Sequence, residues 1–187
     1  MAARLKLLLS GMVLLLLSLN SRTQTTAIDS LRKTLAAATS VPDQLNALFA
    51  LCEQRQSMNK DSFYRYAELA RNLADQTRDP AQIELAAYFY SNSLIRKGEL
   101  DEAIQITNLQ LTRLTWDKNR NAYTKFLLQK GQYFIRTSQY REALAVFFGL
   151  LSESEQRRDT VMQVNACNNI GWVNMEMGQN TQALEWF

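Results

Sequence analysis

Histidines, thiols and paired carboxylates carry most acid–base, nucleophilic and metal chemistry, and here their placement argues against an active site. The chain has no histidine, which removes the commonest general base and the commonest metal ligand together. Its two cysteines, Cys52 and Cys167, stand 115 positions apart. Each reads as a small buried apolar residue, the usual fate of an unpaired cysteine. Adjacent carboxylates at Asp101-Glu102 and at Glu153 and Glu155 fall near helix starts or on polar faces. Solvation and the helix dipole account for them there. No nucleophile elbow, phosphate-cradling glycine loop or metal-spaced cluster occurs. The segment is expected to be non-catalytic, with no metal and no cofactor.

The elements that must position any binding residues are helical. Only 6 Gly and 2 Pro punctuate 187 residues, too few for a sheet protein, which turns every few positions. Apolar residues make up 47% of the chain and charged ones 21%, a balance that fits a folded domain and not a disordered one. Arg4, Lys6 and Arg22 account for the net charge of +3. The rest has no basic bias, which argues against a nucleic-acid surface. An all-α fold is expected.

The chain repeats itself every 40 residues, a signature of stacked architectures. Rows starting at Gln44, Glu84, Thr124 and Val164 align without a gap. One column holds Ala47, Ala87, Leu127 and Cys167; the eighth holds Leu51, Ser91, Gly131 and Gly171. Met58, Gly98, Ser138 and Gly178 mark a turn. Phe63, Ala103, Ala143 and Ala183 follow it, and Ala67, Thr107, Phe147 and Phe187 lie four positions on. Arg78-Asp79, Lys118-Asn119 and Arg158-Asp159 close the first three rows. Each row reads as two antiparallel helices, 44–83, 84–123, 124–163 and an incomplete 164–187. Gly131 and Gly171 in mid-helix would each cost about 1 kcal/mol relative to Ala, so close helix packing must explain them. Ala103, Ala143 and Ala183 are expected to face these small residues, and Trp116 to cover the gap between units. Ile28, Leu31 and Leu35 place a short capping helix at 27–40.

These columns resemble the tetratricopeptide repeat family, in a 40-residue variety. Cys167, Ile170, Gly171, Gly178, Ala183 and Phe187 carry the likeness best, with Leu127, Gly131, Phe134, Ala143 and Phe147 in the row before. The resemblance covers about 41–187. It implies an α-solenoid of antiparallel hairpins in a right-handed superhelix, whose first helices line a concave groove for a protein or peptide partner. Carried over by column, groove residues are Tyr88, Asn92, Arg96, Lys125, Gln129, Gln132, Arg136, Asn168, Asn169 and Trp172. An amide wall with Arg96 and Arg136 could hold an extended backbone and a carboxylate. The plainer alternative stays open: both arginines are solvated helix ends, and Trp172 is a packing residue. The family's chaperone-binding members carry a clamp of Lys, Asn, Asn, Lys and Arg. Only Asn92 and Lys125 fall near that scheme, so chaperone-tail binding is not expected.

Met1 to about Thr23 starts basic at Arg4 and Lys6 and continues apolar from Leu7 to Leu19. That pattern reads as a secretory leader, or an anchor if uncleaved. The run is shorter than the roughly 20 residues of a membrane span. Trp186-Phe187 falls halfway along a second helix, so the sequence is expected to be a fragment of a longer protein. The repeats are then expected outside the cytoplasm, periplasmic or tethered. A leader followed by long-period repeats resembles the input region of bacterial sensor kinases whose transmitter is missing; a free-standing exported adaptor in envelope assembly is the alternative.

Overall fold

The computed structural model describes residues 27–187, which are α-helical with no strand among them. The leader reading falls outside those residues. The chain forms two compact units, one ending at Asp79 and one spanning Pro80–Phe187.

In the first unit, α1 (27–37) is followed by α2 (Val41–Glu53), a 3-10 turn (Gln54–Ser57) and α3 (Lys60–Thr77). Ile28 of α1 is buried and Leu31 and Leu35 are half-buried. Ser40 caps α2 by accepting from the Asp43 N–H at 3.2 Å, and Asn59 caps α3 by accepting from Ser62 N–H at 2.8 Å. Such caps satisfy amides that would otherwise lack a partner.

The second unit holds α4 (Pro80–Lys97), α5 (Leu100–Leu111), α6 (Trp116–Arg136), α7 (Tyr140–Gln156), α8 (Thr160–Glu176) and α9 (Asn180–Trp186). Each helix packs on its neighbour in sequence, and α4 also packs on α6.

The 40-residue register is written in the backbone. Gly98, Ser138 and Gly178 all have positive φ, at 93°, 57° and 77°. Each ends its helix with the same pair of bonds, Gly98 N–H to Ile95 C=O and Glu99 N–H to Leu94 C=O in the first. Ser138 and Gln139 repeat the pair on Ile135 and Phe134; Gly178 and Gln179 repeat it on Met175 and Asn174. This left-handed termination satisfies carbonyls that the helix leaves open. The first row differs, because the 3-10 turn precedes an extended Met58 (φ −125°).

Burial follows the same period, and it corrects one expectation. Phe63, Ala103, Ala143 and Ala183 are all buried, yet they are not what the mid-helix glycines meet. A Cβ on Gly131 would run into the ring of Phe147, and one on Gly171 would lie 2.9 Å from the ring of Phe187. The glycines therefore make room for the column four residues beyond the alanines. In α4–α5 the same two positions hold Ser91 and Thr107, and in α2–α3 they hold Leu51 and Ala67, all four buried. Small meets large, medium meets medium, and large meets small.

Trp116 opens α6. It is buried against Leu150, Met162 and Ala166, and α6 bends at Asn119 (φ −136°, ψ 40°).

Three stability measurements check this packing and its turns. Gly131→Ala should lose up to about 2 kcal/mol, because crowding of roughly 1–3 offsets or outweighs about 1 gained in helix propensity. Gly171→Ala should be neutral or gain up to about 1 kcal/mol, since the Phe187 ring is mostly exposed and can swing aside. Ser138→Gly should gain about 1 kcal/mol by relieving the left-handed strain. Urea denaturation of the three variants reads all of these.

Candidate site in the α4–α6 cleft

In α4 the residues Ala81, Glu84, Leu85 and Tyr88 recur at i, i+3, i+4 and i+7, which places them in one stripe. With 118–122, Lys125 and Phe126 of α6 they line a cleft of about 440 Å³. Phe126 is fully buried and meets the Tyr88 ring edge to face, with centroids 6.0 Å apart at 88°. The ammonium of Lys125 sits 5.2 Å from the centroid of Tyr88, an attraction between the cation and the electron-rich ring face.

The bend at Asn119 shapes one wall, and α6 is fixed there by three ties, to α7, to the loop after it and to α8. Trp116 is packed as described above. Asp117 accepts from Arg157, whose guanidinium lies 5.5 Å from the centroid of the Trp116 ring. Arg120 Nε donates to Asp159 Oδ2 at 2.6 Å. Asp159 also caps α8, accepting from the Met162 N–H at 3.2 Å. Burial alone would push the Asp159 carboxyl up. The bonds from Arg120 and Met162 overcome it and hold the group below its ordinary range.

Arg120 is thus committed to a structural pair. Lys118 and Lys125 are not: among the described residues neither faces a carboxylate within salt-bridge distance. Glu84 is the cleft's one acid, half-buried, and burial pushes its carboxyl up. The cleft is therefore cationic over an apolar and aromatic floor.

Of the ten residues expected in a groove, the structure brings Tyr88 and Lys125 together in this cleft. Asn92 and Arg96 are half-buried further along α4. Gln132 and Arg136 are exposed on α6, and Asn168 and Trp172 on α8. Asn169 is half-buried and donates to the Asn165 carbonyl at 2.7 Å.

Gln129 does not line an open face. It is buried, its Nε2 donates to the Tyr88 carbonyl at 3.3 Å, and its Oε1 accepts from Ser91 at 2.9 Å. The reason is the polar crossing below it: Thr107 Oγ1 lies 3.5 Å from the same oxygen, and buried hydroxyls need partners. Gln129 is a tie between α4–α5 and α6.

The column scheme missed Glu84, Leu85, Lys118 and Asn121. Lys118-Asn119 closes a row in that scheme, whereas α6 begins before it at Trp116. The signal was available in Trp116-Asp117, an apolar residue and a first-turn acid of the kind that open helices.

Both cysteines are free. Burial pushes the Cys52 thiol up to about 12, so it carries no thiolate near neutral pH. Among the described residues no cluster could hold a metal ion, and no helix is long and apolar enough to cross a membrane. Compared with known proteins, the chain matches no family model and no curated sequence.

The Glu84 environment has a pH consequence. Its raised pKa means that the folded chain holds this proton more tightly than the unfolded one, so stability falls as pH rises through it. Glu84→Gln should therefore be the more stable protein at pH 7, with the difference fading below about pH 4. Denaturation curves at both pH values check this.

Proposed function

We propose that the chain is a non-catalytic protein-interaction module of tetratricopeptide-repeat type, a solenoid whose α4–α6 cleft seats an acidic side chain of an extended peptide. The observation that carries this reading is the cleft itself, where among the described residues Lys118 and Lys125 have no carboxylate within salt-bridge distance, above a floor of Leu85, Tyr88 and Phe126. A carboxylate on a short apolar stem complements both parts. Charge-assisted contact supplies affinity, while the Tyr88 ring limits where the Lys125 ammonium can go. The exposed amides and aromatic ring of Gln132, Asn168 and Trp172 offer further contacts along α6 and α8. The recurrent turns at Gly98, Ser138 and Gly178 support the repeat assignment.

The same reading takes the basic and apolar start at Arg4, Lys6 and Leu7–Leu19 as an export leader. The repeats then work outside the cytoplasm, as the input part of a signalling protein.

Selection from a library of displayed random 12-residue peptides tests the binding claim. Recovered peptides should carry an invariant Asp or Glu, and binding should weaken with salt. Lys118→Glu with Lys125→Glu should reduce their affinity about 10- to 100-fold, the range of one or two charge-assisted bonds. Arg136→Ala should change it less than threefold. Peptides without an acidic preference, or binding indifferent to the lysine pair, would overturn the proposal.

A further inference from the structure

The α4–α6 cleft holds one acid of its own, and its neighbours leave that acid without a counter-charge. Glu84 and Tyr88 of α4 line the cleft with Lys118, Arg120 and Lys125 of α6, and no residue of α5 lines it. Among the described residues no cation lies within salt-bridge distance of Glu84. Arg120 is turned to Asp159. Lys125 is drawn to the Tyr88 ring, 5.2 Å from its centroid. Glu84 is also half-buried, where water screens a charge less than in the open.

Position decides what this acid does. Glu84 and Tyr88 are four residues apart and so lie on one face of α4. A partner's carboxylate bonded to the Lys125 ammonium above Tyr88 comes to rest roughly one helical turn, about 5.4 Å along the axis, from Glu84. Two carboxylates sharing a site at that range do not both stay ionised without cost, and one of them takes a proton. The lysines keep the charge on the partner's acid. Glu84 has no such support, and its burial favours the neutral form before anything binds. Once neutral, its O–H can donate to the incoming carboxylate, in a bond about twice as strong as one between neutral groups. The ionised form repels what the protonated form holds.

We infer that the cleft takes up a proton from solvent, on Glu84, each time it binds a partner's carboxylate. This regulation rests on the cleft being the seat of an acidic peptide, as proposed above. Binding and protonation then strengthen each other, because linkage is reciprocal. Affinity rises as pH falls from 7 towards 5, and drops again below about pH 4 as the partner's own acid protonates.

The test uses the full chain and one 12-residue peptide recovered by the selection above, made with its invariant acid and with the matching amide. Calorimetry at pH 6 in two buffers of different ionisation heat counts the protons taken up, which should be about half a proton or more per acidic peptide. Affinity should be about 10-fold higher at pH 5 than at pH 7, the effect of a one-unit rise in the Glu84 pKa on binding. Glu84→Gln should bind at pH 7 within about threefold of the native chain at pH 5, with no uptake and no change between those pH values. Carbon-13 titration of the Glu84 carboxyl in the native chain reads the same proton directly, and its midpoint should move up when the peptide is present. No uptake by the native chain, uptake that persists in Glu84→Gln, or an unmoved Glu84 midpoint would each overturn the inference. If the amide peptide binds as well as the acid, the acidic-peptide reading of the cleft fails first. If the acid is required but no proton is taken up, that reading stands and only the inference is lost.

Discussion

Each hairpin is governed by how closely its two backbones come together at one crossing. Interiors pack at crystal-like density, so the summed volume at such a point is nearly fixed while its division between partners is free. Here that sum is divided differently from hairpin to hairpin. Phe147 fills the space that Gly131 leaves empty; Ser91 and Thr107 share theirs; Leu51 and Ala67 stand in the reverse order. The helix ends, the buried columns and the cleft all take their places from that spacing.

The polar division has a consequence that the apolar ones lack. Two buried hydroxyls at one crossing bring hydrogen-bonding groups into a place with no water, where an unmet group costs about 1–3 kcal/mol. Each bonds within its own helix, Ser91 to the Ala87 carbonyl and Thr107 to that of Ala103, both at 2.8 Å. Gln129 then joins Ser91 to the backbone of α4. One small change of residue type at a crossing thus fixes how the following helix is seated. Tyr88 lies beside this tie through its carbonyl and beside the cleft through its ring, so the same contact helps set the cleft's floor.

Much of this was legible in the sequence, and the failures have physical causes. Turns at Gly98, Ser138 and Gly178 follow from a single column because left-handed termination demands little of its neighbours. That Gly131 and Gly171 need a packing reason follows from helix propensity. Which residue supplies it does not follow, because a column four positions away lies on nearly the same face of a helix. Amides suit peptide backbones, so the column alone puts Gln129 on an open wall. Its burial becomes visible only when Ser91 and Thr107 are known to share one crossing. The basic and polar pair Lys118-Asn119 looks like a terminus, but the bend at Asn119 carries the helix through it.

Both members of every crossing lie within one hairpin, sixteen positions apart. Genetic exchange that cuts between hairpins would carry lock and key together, and the transferred segment would arrive already matched. A breakpoint inside a hairpin would instead set Leu51 against Phe147, or Gly131 against Ala67, leaving a clash or a void. Recombination among relatives of this chain should therefore leave scars at the loops before α4, α6 and α8, and seldom at the turns inside a pair.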